Sequence, residues 1–189
     1  MNRLALTFDD GPDRRFTAPL LDLLASIGAR ATFFVIARRA ARCPGLIARM
    51  LADGQSVQLH CDQHVRHSRA SREWVRADTE RALARLRALG VAPRLWRTPW
   101  GDTAPWTAEL AREQGLELVG WTVDSHDWRG DSAAEMLAAC RPGLRAGAIL
   151  LAHDGIGPGA RRTDARQTLA LVELVARDAA QRGLALGAL

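Results

Sequence analysis

The sequence predicts an α/β fold of parallel strands joined by helical crossovers. Three observations predict it. Short apolar, β-rich runs alternate with segments of helical period along the chain. A composition of 48% hydrophobic and 25% charged residues over 189 positions suits one well-packed core. The residues able to do chemistry follow the strand runs, at the ends where α/β folds gather their ligands.

The first run, 4–8, stops at "DDGP", where Asp9 and Asp10 stand side by side before a Gly-Pro turn. "APLLDLLASIGA" then carries apolar residues at three- and four-residue spacing and ends at Gly28, a helix stop. The second strand is read at 31–36 and the third at 56–60, followed by a helix over "REWVRADTERALARLRALG" that ends at Gly90. Further strands are read at 94–97, 116–123, 148–152 and 184–186, and "DGIGPGARR" (154–162) is a long loop above the sixth. Such alternation implies right-handed crossovers with helices shielding the sheet. About seven strands suit either an open doubly wound sheet or a closed barrel. The sequence contains no linker, low-complexity tract or repeat, so residues 1–189 are expected to form a single domain.

Composition excludes several classes. No window approaches the roughly 18 uninterrupted apolar residues of a membrane span. The net charge of +5 comes from 26 arginines without a lysine. Pairs such as Arg38-Arg39 and Arg161-Arg162 are scattered, with no aromatic interleaving, so no nucleic-acid partner is expected. Three distant cysteines, Cys43, Cys61 and Cys140, suggest neither a disulfide framework nor a cysteine zinc site. A reducing compartment follows, and the start "MNRLALTF" carries no apolar leader, so a cytoplasmic location is expected.

Adjacent carboxylates repel and are costly to bury unless a cation lies close. "LHCDQH" supplies the context for one, because His60 and His64 are spaced to present two imidazoles to a single ion. Asp10 adds a carboxylate, making a two-nitrogen, one-oxygen set suited to a divalent ion, above all Zn²⁺ with Co²⁺ or Ni²⁺ as alternatives, and an open site for water. Iron oxygenases also use two histidines and a carboxylate, but on all-β scaffolds that this alternating chain does not resemble.

Asp9, one residue from a ligand, is placed to act as general base, with a second ligand or a loop cap as the other readings. Arg97, in "RTPWG", can hold that carboxylate ionised through its guanidinium fork, in a turn fixed by Pro99 and Gly101. His153 emerges from the most apolar strand, in "AILLAHDG", and can protonate a leaving amine. Asp124, in "WTVDSHDW", is expected to accept from the other ring nitrogen of His153. His67 and His126 read as solvent or loop residues, Trp121 as core and Trp128 as pocket wall.

"TFDDGP", "HCDQH", "RTPWG", "DSHDW" and "LLAHD", in this order, resemble the five motifs of the polysaccharide deacetylase family, also known as the NodB-homology or carbohydrate esterase family 4 domain. The resemblance runs from Leu6 to about Asp154. It implies a distorted, incomplete (β/α) barrel of about seven parallel strands. It also implies Asp9 as base, Asp10, His60 and His64 as metal ligands, Arg97 as the partner of Asp9, His153 as acid and Asp124 as its orienter. A backbone N–H of Trp100 would serve the oxyanion, and Leu151 with Trp128 would shape the acetyl pocket. Three residues depart from the pattern: Cys61 replaces a serine or threonine, Val65 a common proline, and Trp100 is larger than usual. The implied activity is removal of N-acetyl groups from amino sugars, of chitooligosaccharide or peptidoglycan type. A small-amide amidase or deformylase, or a non-catalytic carbohydrate-binding relative, are the alternatives.

Overall fold

The computed structural model describes residues 2–189. Eight strands form one sheet: β1 (Arg3–Asp9), β2 (Thr32–Ile36), β3 (Ser56–Cys61), β4 (Leu95–Trp96), β5 (Glu117–Leu118), β6 (Val123–Asp124), β7 (Ile149–His153) and β8 (Ala185–Gly187). The helices are α1 (Thr17–Ser26), α2 (Ala37–Ala40), α3 (Pro44–Ala52), α4 (Arg72–Ala88), α5 (Thr107–Glu113), α6 (Ala133–Cys140) and α7 (Arg166–Gln181). The strand order is β5-β4-β3-β2-β1-β7-β6, with β8 added to β1, and every pairing is parallel. Among the described residues, no helix is long and apolar enough to cross a membrane.

The expected fifth strand, 116–123, is corrected: it is two strands, β5 and β6, at opposite edges of the sheet. Gly120 interrupts the run, and the carbonyls of Val119 and Gly120 turn to the guanidinium of Arg97 (3.4 and 2.7 Å) instead of a neighbouring strand. This split dictates the shape. Seven strands laid flat would separate the edges by roughly 29 Å at 4.8 Å per strand. The five-residue step from Leu118 to Val123 spans at most about 18 Å. The sheet therefore curls into a half-barrel, which is the incomplete barrel implied above.

β1 lies inside the sheet, paired with β2, β7 and β8, and is buried from Leu4 to Asp9. Phe8 stacks on Phe33 of β2 at 5.4 Å, and Leu20, Leu21 and Leu24 of α1 join the same core. Burial on both faces explains why β2 (TFFVI) reads as a continuous apolar run. At the strand carboxyl ends the chain turns outward into loops.

His67 is corrected as well, because it is buried in a short 3₁₀ turn rather than solvated. Its ring lies 5.2 Å from Trp96 and 5.9 Å from Trp106, and Nδ1 is 3.2 Å from Thr107 Oγ1. Burial pushes the imidazole down from 6.5 to about 4. The unfolded chain thus takes this proton first as pH falls below 6.5, and the fold loses up to about 3 kcal/mol by pH 4 on that account. His67→Phe is expected to lower stability modestly at pH 7.5, yet to lose less than the wild type between pH 7.5 and 4.5 when urea midpoints are compared.

Candidate active site

A cleft of about 410 Å³ opens at the carboxyl ends of the strands. Its lining includes Asp9, Asp10, His60, His64, Trp100, Asp124, Trp128, Leu151 and His153, so one cavity gathers these residues. Register explains much of this. Asp9 pairs with His153 across β1 and β7, and Leu59 pairs with Trp96, which sets His60 beside Arg97.

Asp10 has a left-handed backbone (φ 72°), rare for a residue with a side chain, which turns its carboxylate into the cleft. Gly157 passes so close that any β-carbon there would overlap Asp10 Oδ2. Asp10 Oδ1 lies 3.5 Å from His60 Nε2 and 3.2 Å from His64 Nε2, and it is buried without a hydrogen-bond donor. Burial alone would raise the Asp10 carboxyl, but His60 and His64, helped by His153, hold it well below the usual carboxylate range. Burial pushes His64 down, toward the neutral form a metal requires. His60 Nδ1 is 2.6 Å from the carbonyl oxygen of Arg97. A carbonyl only accepts, so Nδ1 carries a proton and Nε2 is the ring atom left facing Asp10. The three donor atoms lie within 4.8 Å of one another. An orphaned buried carboxylate oxygen and an imidazole whose Nδ1 is engaged by a carbonyl, leaving Nε2 toward the cluster, fit a divalent cation.

Asp9 is 4% exposed and Oδ1 accepts from Arg97 Nη1 at 2.9 Å. Arg97 is fully buried: Nη1 also donates to Thr7 Oγ1 at 2.7 Å, and the guanidinium lies 4.2 Å over Phe34. Every face of the cation is thus fixed, and the carboxylate beside it is turned by the same contacts.

His153 Nδ1 lies 2.6 Å from Oδ1 of Asp127, not of Asp124. This corrects the expected orienter. Asp124 Oδ1 instead accepts the backbone N–H of His126 at 2.7 Å, closing its own turn while it lines the cleft. The 3₁₀ turn Asp127–Arg129 brings the later carboxylate beneath the ring. Asp127 is buried and also pairs with Arg162 Nη1 at 3.1 Å and Thr168 Oγ1 at 2.8 Å. Burial alone would lower His153, but the charge and hydrogen bond of Asp127, with Asp10 and Asp9 beyond, raise it to about 9. The imidazole is therefore charged at neutral pH, with Nε2 left for the cleft.

Trp100 takes a left-handed backbone (φ 57°) in the Pro99–Gly101 turn, and its indole meets the His64 ring edge-on at 4.1 Å. Arg66 covers its other side at 4.4 Å. Gly101 abuts Trp121, where a β-carbon would sit 2.6 Å from Cη2. Trp121, expected in the core, is half-buried and lines the cleft, because this turn holds it at the mouth. Trp128 is half-buried at the rim and Leu151 is buried at the floor. Asp127, Arg66 and Arg162 were not assigned to the site from the sequence, where Trp121 was placed in the core; only the quoted "DSHDW" pointed toward the first.

A carboxylate–guanidinium pair, a carboxylate–imidazole pair and a two-histidine, one-carboxylate cluster thus open from one curled parallel sheet. The family model for polysaccharide deacetylase matches residues 1–119. A chitooligosaccharide deacetylase of Bradyrhizobium sp. (strain ANU 289) is 36% identical over 84% of this chain and 73% of its own length. A peptidoglycan-N-acetylglucosamine deacetylase of Bacillus cereus is 33% identical over 82% of this chain and 56% of its own. A family 4 carbohydrate esterase from Streptomyces lividans, solved in complex with acetate, superposes with a TM-score of 0.87 at 30% identity, covering 98% of this chain and 92% of that one. The chain belongs to the polysaccharide deacetylase family.

Proposed function

We propose that this chain, acting as a single domain over residues 1–189, hydrolyses N-acetyl groups from amino sugars of chitooligosaccharide or peptidoglycan type. The observation that carries the reading is the shared cleft of Asp10, His60 and His64 with the Asp9–Arg97 and His153–Asp127 pairs. The names of the relatives support the substrate class.

Asp10, His60 and His64 would hold one divalent ion, preferably zinc, with cobalt or nickel as substitutes. When bound, the ion supplies Lewis acidity toward the acetyl carbonyl and lowers the pKa of water. Asp9, turned by its bond to Arg97, takes the proton from the attacking water. The Trp100 backbone N–H donates to the developing oxyanion. Leu151 and Trp128 enclose the acetyl methyl, and His153 passes its Nε2 proton to the departing nitrogen while Asp127 keeps the ring turned.

Purified protein is expected to release acetate from N-acetylglucosamine oligomers, to stop after chelation and to recover with added zinc. Acetate or formate release from small amides but not from these oligomers would replace the sugar reading by an amidase. Sugar binding without turnover in any metal-loaded sample would make the chain a non-catalytic relative.

A further inference from the structure

His60 and His64 are separated by Cys61, Asp62 and Gln63, and the strand ends at the first of these. A stretch that carries two ligands favours tight binding only if its shape is set before the ion arrives. Cys61 is buried and, as a thiol, offers only weak hydrogen bonds. The backbone amides find a stronger partner. Asp78, in the second turn of α4, accepts the N–H of Asp62 on Oδ2 at 3.0 Å, and both of its oxygens lie 3.2 Å from the N–H of Gln63.

Asp78 stands among Val75, Thr79, Ala82 and Leu83 on the buried face of α4, where a carboxylate is costly unless its oxygens are used. They are used: the two amides take one side, and Arg81 Nη2 donates to Oδ1 at 3.1 Å. One turn further, Arg85 pairs with Asp62 Oδ1 at 2.9 Å, so α4 grips the loop through backbone and side chain together.

We propose that Asp78 is a positioning residue of the metal loop, its carboxylate fixing the 61–64 turn so that both imidazoles face Asp10 before any ion binds. This rests on Asp10, His60 and His64 being the ligands. Asp78 touches neither substrate nor ion and acts only through the two amides.

Zinc affinity, read by competition with a chromophoric chelator, tests it. Wild-type protein is expected to bind one equivalent and His64→Ala none; if the wild type binds no zinc, the ligand reading falls and the inference with it. Given wild-type binding, Asp78→Ala is expected to weaken affinity by about 10- to 100-fold. Asp78→Glu should recover part of that loss. Leu83→Ala, a cavity variant on the same buried face of α4, should lower the melting temperature yet stay within about twofold of wild-type affinity. Zinc binding by Asp78→Ala within about twofold of wild type, or an equal loss in Leu83→Ala, would overturn the proposal. Should Asp78→Ala not fold, hydrogen exchange of the metal-free wild type decides. Protected Asp62 and Gln63 amides support a preset turn, and exchange at open-loop rates refutes it.

Discussion

Asp9→Asn is expected to lower kcat for acetate release by about 10²- to 10⁴-fold while the protein still binds one equivalent of zinc. The amide keeps the volume of the carboxylate and can still accept from Arg97 Nη1, now 2.9 Å from Asp9 Oδ1, but it takes no proton at neutral pH. Arg97 then keeps its bonds to Thr7, Val119 and Gly120 as a buried cation without an anion, so a lower melting temperature should accompany the kinetic loss. Steady-state kinetics and metal stoichiometry on one preparation separate the roles. Loss of zinc together with activity would make Asp9 a ligand, and activity within tenfold of wild type would remove it as the base.

Asp127→Asn and Asp124→Asn should behave very differently, although only three residues separate them. Burial lowers His153, but Asp127 chiefly holds it up at about 9. An acid works while it keeps its proton, so the wild-type rate should fall on the alkaline side near pH 9. Without the anion the pKa falls back toward the ordinary 6.5, and at that limit the protonated share at pH 8 drops from about nine-tenths to about 3%, a loss of up to about 30-fold. The alkaline limb should move down by up to about 2.5 pH units. Asp124→Asn, whose carboxylate serves the His126 amide, should leave that limb in place. An unmoved limb in Asp127→Asn would deny His153 the acid's role. The same substitution strips Arg162 of its anion, so thermal stability should also fall.

The contrast between Asp124 and Asp127 marks where sequence reasoning reaches and where it stops. Asp9, Asp10, His60, Arg97 and His153 were legible because parallel α/β architecture sends residues that follow strands to one rim, a rule of connectivity rather than of side-chain detail. The choice between two nearby aspartates depends on a 3₁₀ turn entered through a left-handed His126 (φ 52°), which no periodicity announces. The run 116–123 had a strand's composition apart from Gly120. Its division follows from Arg97 drawing the Val119 and Gly120 carbonyls inward, a tertiary demand that overrides local preference. His67 and Trp121 were misplaced for a related reason: polarity suggests water for the one and size suggests the core for the other. Packing against Trp96 and Trp106, and against the Gly101 turn, decided otherwise.

The three-partner position of β1 also bears on how quickly the molecule can assemble. Its partners lie at Thr32–Phe34, Ile149–His153 and Ala185–Gly187, so the innermost strand is completed by contacts well over a hundred residues away. Each such closure spends chain entropy before burial repays it, which places this topology among slow folders compared with helical bundles of similar size. The Asp9–His153 neighbourhood depends on one of those distant closures, so catalytic competence should be regained late in refolding, after most helical signal has returned.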